Sequence, residues 1–191
     1  EYAPLHNPPA LVGLDAAAAA LPGIANVAVF DTAFHAELPP HAFTYALPHE
    51  LYLERGVRRY GFHGPSHQFM SLAAAEHLKT DATRLRLVTC HLGGGASVSA
   101  IDGGHSVDTS MGMTPLEGLV MGTRAGDLDP AILLMLLRRG MTPEELDTII
   151  NKRSGLAGIS GIASGDFRDI ERAADERDRR RAEEAVIEVA E

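Results

Sequence analysis

His91 to Pro130 reads HLGGGASVSAIDGGHSVDTSMGMTPLEGLVMGTRAGDLDP, and this stretch decides how the rest of the chain is read. An apolar run, Leu85 to Cys90, leads into it and has the composition of a buried strand. Gly93, Gly94 and Gly95 permit a bend at positive φ, and their missing side chains let backbone N–H groups approach an anion closely. Ser97 to Ile101 reads as a returning strand, Asp102-Gly103-Gly104 as a hairpin turn and His105 to Thr109 as a third strand. A glycine bend between two strands differs from the strand–loop–helix of a P-loop, and no G-x-x-x-x-G-K-[ST] occurs in the chain.

Consecutive glycines serve ordinary hairpins as readily as phosphate sites. The following segment shifts the reading. Thr109 to Gly112, Thr114 to Gly118 and Met121 to Arg124 are dense in glycine, hydroxyls and one cation, with little apolar periodicity. A long loop of this kind inside a compact domain usually lines a site. The string DTSMGMTPLEGLVMGTRAGDLDP resembles the signature of the acetate/propionate kinase family, whose members share the actin, sugar-kinase and Hsp70 ATPase plan. APLHNPP at Ala3 to Pro9, VFDTAFH at Val29 to His35 and YGFHGPSH at Tyr60 to His67 are similar to that family in the same order, as is Gly165-Asp166-Phe167-Arg168.

The resemblance implies an α/β chain with two ribonuclease-H-like domains enclosing a cleft. Residues 1–36 would end the N-terminal domain, and 37–191 would supply a connecting segment and the first part of the C-terminal domain. The first residue, Glu1, falls inside a family motif, and Glu191 falls inside a charged helical pattern. An internal fragment of a longer kinase is therefore expected. By itself it would be inactive, since an N-terminal phosphate-contacting segment, a second arginine and a C-terminal glutamate are expected outside it.

Composition bounds the alternatives. An apolar fraction of 45% and a charged fraction of 23% are ordinary globular values. The formal net charge of −9 argues against a nucleic-acid surface, which needs clustered Lys and Arg. One cysteine excludes an intrachain disulfide framework, and without a signal peptide or long apolar segment a cytoplasmic protein with no membrane partner is expected. Cys90 itself is read as a small buried hydrophobe.

Along the chain, Tyr2 to Pro9 is expected to be extended because of its prolines. Asp15 would cap a short alanine-rich helix ended by Pro22 and Gly23. Asn26 to Phe30 reads as a strand with Asp31 at its carboxyl end, the edge where α/β folds bind ligands. Pro39 to Pro48 reads as loop, and Gly64-Pro65 suits the start of a helix to about Leu78 with Phe69, Met70, Ala73, Ala74 and Leu78 on its apolar face. Asp129-Pro130 starts a helix that Gly140 stops, and Thr142, Pro143 and Glu145 form a capping-box start for another. Ser154 to Gly165 reads as a second loop, followed by a charged helix whose apolar face carries Ile170, Ala173, Ala174, Val186, Ile187 and Ala190.

Phosphoryl transfer needs positioning and positive charge around a γ-phosphate more than covalent help from the protein. Arg124 offers a planar fork for phosphate or carboxylate, the plain alternative being a surface pairing with Asp127 or Asp129. Resemblance implies that Arg124 binds the transferring phosphoryl or the acetate carboxylate, and that His63 donates to the phosphoryl in flight. It implies His6, Leu5, Phe62 and Pro115 around acetate. It further implies His91, Leu92, Gly93, Gly94 and Gly95 at the ATP phosphates, and Asp166, Phe167 and Arg168 around the adenosine. His35, His67 and His105 are left as structural. Asp31 is the candidate catalytic carboxylate and ligand for Mg²⁺ or Mn²⁺, hard cations that prefer oxygen, the plain alternative being an Asx turn after a strand.

Two departures stand out. Gly94 replaces the asparagine of the family's usual H-L-G-N-G, removing an amide donor, and Pro65 replaces a usual threonine. The activity implied is reversible transfer of the ATP γ-phosphoryl to acetate, in a two-fold homodimer. Propionate or butyrate kinase, or a non-enzymatic actin- or Hsp70-like nucleotide switch, are the competing readings.

Overall fold

The computed structural model describes residues 7–176 and Glu183. Three antiparallel strands form the only sheet among the described residues: β1 (Arg86–Leu92), β2 (Ala96–Asp102) and β3 (His105–Thr109), in that spatial order. The hairpin geometry is as expected. Gly103 and Gly104 take φ of 60° and 86°, the left-handed pair that a tight two-residue turn requires. Strands β1 and β2 pair Leu87 with Ile101, Thr89 with Ser99 and His91 with Ser97. A bulge at Ala100/Ile101 shifts the β2–β3 register, so that Ile101 faces Ser106.

The pleat explains one correction. Alternation of period two turns Leu87, Thr89 and His91 inward and Val88, Cys90 and Leu92 outward. Cys90 is exposed, not buried. The inward face of β2 is polar, with Ser97 and Ser99 fully buried. Against it pack α4 (Gly64–His77) and a 3₁₀ turn, Ala33–His35, contributing buried His67, Ser71 and His35. The expected apolar face of α4 is therefore the wrong one. Phe69, Met70 and Leu78 are exposed, while the small and polar residues at helical spacing face the serines, whose hydroxyls need partners that an apolar face lacks.

Buried apolar side chains gather in two clusters among the described residues, with Leu38, Ile101 and Leu146 buried outside them. Phe62, Ala96, Met111 and Met121 form one beneath the glycine bend, with Leu119 against it. Leu156 and Ile170 form the other, with Val120, Ile159, Ile162, Phe167 and Ala174 around them.

Several boundaries differ from expectation. Helix α1 (Asn7–Ala20) starts at the prolines: Pro8 and Pro9 occupy its first turn, where a missing N–H costs nothing, and Asp15 lies inside it rather than capping it. Tyr2 to His6, Val186, Ile187 and Ala190 lie outside the described residues. Asn26 to Phe30 is not a strand. No other strand among the described residues lies beside it, and Val27, Val29 and Phe30 are exposed. Short helices α2 (Pro40–Phe43) and α3 (His49–Arg55) precede α4.

Helix α5 (Pro130–Arg138) is capped by Asp129, and α6 (Pro143–Lys152) opens with a complete Thr142/Glu145 capping box, as expected. The Ser154–Gly165 segment is not all loop, because α7 (Gly155–Ser160) forms a turn and a half whose Leu156 joins the second cluster. Helix α8 (Phe167–Glu176) follows. No described helix is long and apolar enough to cross a membrane.

Candidate active site

Residues 110–129 run between β3 and α5 without regular structure, as a site-lining loop should. Arg59 holds its start. The guanidinium donates to the carbonyls of Thr109 and Ser110 at 3.0 Å each and of Met111 at 3.2 Å, and pairs with Glu117 at 2.7 Å. Tyr45 donates a hydroxyl hydrogen bond to the same carboxylate. Sequence reasoning passed over this node, since its members are far apart along the chain.

The loop returns Arg124 to the glycine bend. Its Nη1 donates to the Pro115 carbonyl at 2.5 Å, which leaves Nη2 directed at Gly95. A Cβ on Gly95 would lie 2.8 Å from that Nη2 and 3.4 Å from Nε2 of His63. Gly95 thus makes room where two side-chain nitrogens converge. The three glycines achieve this through missing side chains, for none of them has the positive φ expected of the bend. The Gly93 N–H closes the turn on the Gly95 carbonyl at 2.9 Å, and the Gly94 carbonyl takes the Gly122 N–H at 3.1 Å. A Cβ at Gly94 would meet nothing within 4 Å.

Arg124 is half-buried and forms no ion pair among the described residues. The surface-pairing alternative fails: Asp127 accepts from the Gly118 N–H and Asp129 caps α5 through the Ala131 N–H. Burial works against the arginine's charge. A half-buried cation without a counter-charge among the described residues, beside a space that one methyl would fill, can receive an anion.

His63 completes the arrangement. It sits at the N-terminal boundary of α4 with φ of 58°, a left-handed conformation that few non-glycine residues adopt and that recurs at functional sites. Its ring stacks on His91 at 3.9 Å between centroids, and His91 Nδ1 is anchored at 2.9 Å by Ser66 Oγ. Burial, and then the neighbouring His91, push His63 down to about 4; burial, and then His35, push His67 to about 4. Both rings are therefore neutral near pH 7.

Asp31 lies on the turn before the Ala33–His35 segment. Its carbonyl accepts the Gly64 N–H at 2.8 Å, and a Cβ on Gly64 would come within 2.5 Å of that oxygen. This close approach ties Asp31 to the start of α4, and its charge is felt by His35, His63 and His67. The exposed carboxylate has no hydrogen-bond or ion-pair partner among the described residues. That suits a magnesium ion, which takes one or two carboxylates and completes its shell with phosphate and water. No group of three or more His, Cys, Asp or Glu that could cage a metal occurs among the described residues.

Other predicted residues lie near but do different things. Phe62 is buried in the cluster below the bend, and its carbonyl accepts from His35 at 3.0 Å. Pro115 borders the site through the carbonyl that holds Arg124. Leu92 is exposed beside the bend. Leu5 and His6 lie outside the described residues. Gly165 meets Gly122 closely, and Gly122 bonds the Gly94 carbonyl, so Asp166, Phe167 and Arg168 follow directly on a segment packed against the bend. Asp166 takes the Arg168 N–H at 2.9 Å and its guanidinium at 3.0 and 2.6 Å, which holds that carboxyl down to about 2, while Phe167 packs on the second cluster.

Comparison with known proteins places the chain in a family. The sequence model of the Acetokinase family matches residues 1–189. An acetate kinase of Clostridioides difficile (strain 630) is 58% identical over 181 residues, 94% of this chain and 45% of that protein. A solved acetate kinase from Porphyromonas gingivalis, 47% identical, superposes with a TM-score of 0.91 over 98% of this chain and 47% of its own. A solved propionate kinase from Francisella tularensis, 40% identical, gives 0.92 over 98% and 48%. The chain thus spans about half the length of the curated relatives it matches, and the α/β arrangement described above is that of the solved kinases. By its motifs, its fold and its matched residues, the chain belongs to the acetokinase family.

Proposed function

We propose that the chain is the phosphoryl- and carboxylate-binding part of an enzyme that transfers the γ-phosphoryl of ATP to acetate, giving acetyl phosphate and ADP, reversibly and in one in-line step. An acetate oxygen forms the new P–O bond as the β–γ bridging P–O bond breaks, and that electron pair leaves with ADP. No proton is gained or lost overall, so the protein's task is charge and alignment. The carrying observation is the unpaired, half-buried Arg124 facing Gly95 alongside His63.

Arg124 compensates charge on the equatorial oxygens of the phosphoryl, and neutral His63 offers an N–H hydrogen bond to one of them. Gly93 to Gly95 and His91 border the phosphates, with Asp166 to Arg168 on the adenosine side. Asp31 would hold a divalent cation, which supplies neutralisation of the nucleotide's charge. Pro115, Phe62, Leu5 and His6 surround the acetate. In the same reading, residues 1–36 close an N-terminal ribonuclease-H-like domain, 37–191 begin its C-terminal counterpart, and the protein is a cytoplasmic homodimer.

A longer acyl acid is the second reading, favoured by the likeness to a solved propionate kinase. Trapping the acyl phosphate with hydroxylamine after incubating the full-length protein with ATP and acetate, propionate or butyrate separates the two. Arg124→Ala is expected to lower acetyl phosphate formation by at least 100-fold in a folded protein; unchanged formation refutes the proposal.

A further inference from the structure

Ser97, fully buried on β2, touches two imidazoles at once: its Oγ lies 2.8 Å from His63 Nδ1 and 2.8 Å from His67 Nε2. The other nitrogen of His67, Nδ1, lies 2.7 Å from Thr89 Oγ1. A hydroxyl carries one proton and two lone pairs, and a neutral imidazole one N–H, so three orderings place a proton in every one of these bonds.

In the first, the Thr89 hydroxyl donates to His67 Nδ1, His67 Nε2–H donates to Ser97, and the Ser97 hydroxyl donates to His63 Nδ1. His63 then carries its proton on Nε2, the atom facing Gly95. In the second, every arrow reverses, and Nε2 presents a lone pair to the bend. That ordering also leaves the Thr89 hydroxyl proton without an acceptor, since among the described residues its Oγ1 bonds only His67. In the third, His67 Nε2–H and His63 Nδ1–H both donate to Ser97, which again turns a lone pair to the bend and leaves the proton of that fully buried hydroxyl without an acceptor among the described residues. Unmade hydrogen bonds at partly buried groups are costly, and a lone pair aimed at an anionic oxygen is repelled. Both considerations select the first ordering.

We infer that Thr89, His67 and Ser97 form a directional hydrogen-bond relay that holds His63 in its Nε2–H tautomer, a ready donor to an anionic oxygen at the glycine bend. The inference rests on the proposed phosphoryl transfer for its purpose but not for its geometry. Ser97, His67 and Thr89 are positioning residues, acting through His63 and touching no substrate. His91, stacked on His63 and anchored by Ser66, keeps the ring plane that the relay needs.

The test is long-range ¹H–¹⁵N NMR of the full-length protein labelled at histidine, with the His63 signals identified by their loss in His63→Gln. Wild-type His63 is expected as the Nε2–H tautomer at pH 7. Ser97→Ala is expected to mix the tautomers and lower kcat about tenfold while the KM for ATP stays within about twofold. Thr89, less buried, provides a second route: Thr89→Val is expected to weaken the bias and Thr89→Ser to restore it. A wild-type His63 in the Nδ1–H form, or a Thr89→Val protein with unchanged tautomer and kcat, overturns the relay. Acetyl phosphate formation by a protein whose His63 is Nδ1–H overturns the relay and leaves the proposed reaction standing. An Nε2–H tautomer in a protein that never phosphorylates acetate supports the relay and overturns the reaction.

Discussion

Gly95→Ala puts one methyl where the account places an anion's oxygen. Its Cβ would stand 2.8 Å from Arg124 Nη2, and reaching ordinary contact at 3.4 Å requires the guanidinium to withdraw by about 0.6 Å. Withdrawal is resisted because Nη1 is held by the Pro115 carbonyl at 2.5 Å. The methyl also covers the approach to His63 Nε2, 3.4 Å away. Losing one charge-assisted hydrogen bond costs about 1.5–3 kcal/mol. At about 1.4 kcal/mol per factor of ten, kcat/KM should fall roughly 10- to 100-fold.

Folding should be spared, because Gly95 lacks a positive φ and the methyl meets only side-chain ends. The assay is acetyl phosphate capture on the full-length protein beside a thermal melt. Gly94→Ala, whose Cβ meets nothing within 4 Å, is the control and should stay within about twofold. Wild-type activity in a folded Gly95→Ala protein would refute the reasoning, as would equal losses at the two glycines.

Other outcomes follow from the same geometry. Arg59→Ala strands three carbonyls and the Glu117 carboxylate together, and should cost about 2–4 kcal/mol in urea denaturation; a loss below about 0.5 kcal/mol contradicts the role given to that node. His63 and His67 titrate near 4 when folded and near 6.5 when unfolded, so the unfolded state binds more protons between those values. Their contribution is complete above about 6.5 and is lost as pH falls to about 4; melting temperatures measured across that window should drop, and a smaller drop is expected in His67→Gln.

Legibility in the sequence divided along physical lines. The hairpin and helices α5 and α6 carry local signals, the Gly103-Gly104 turn and the Asp129 and Thr142 caps, that need no distant partner, and they formed as expected. Arg124, His63 and the glycine bend were recognised through motif resemblance, and the fold brings them together. What stayed hidden depends on tertiary partners. Ser97 and Ser99 alternate on the inward face of β2, where an apolar residue is the default, and that inverted pattern was the one signal of a polar core. Missing it led to the wrong face of α4, because Phe69 and Met70 outrank His67 and Ser71 in hydrophobicity but cannot satisfy serine hydroxyls. Cys90 was misjudged because an apolar run does not tell a strand covered on both faces from one covered on a single face. Asn26 to Phe30 has strand composition, but with no neighbouring strand among the described residues that preference has nothing there to pair with.

The most direct test is a crystal structure of the full-length protein with ADP, acetate and aluminium fluoride as the phosphoryl stand-in. The fluoride group is expected over Gly95, within about 3.2 Å of both Arg124 Nη2 and His63 Nε2. A fluoride group bound elsewhere, with those two nitrogens more than about 6 Å from it, would contradict the central claim that the glycine bend and Arg124 enclose the transferring phosphoryl.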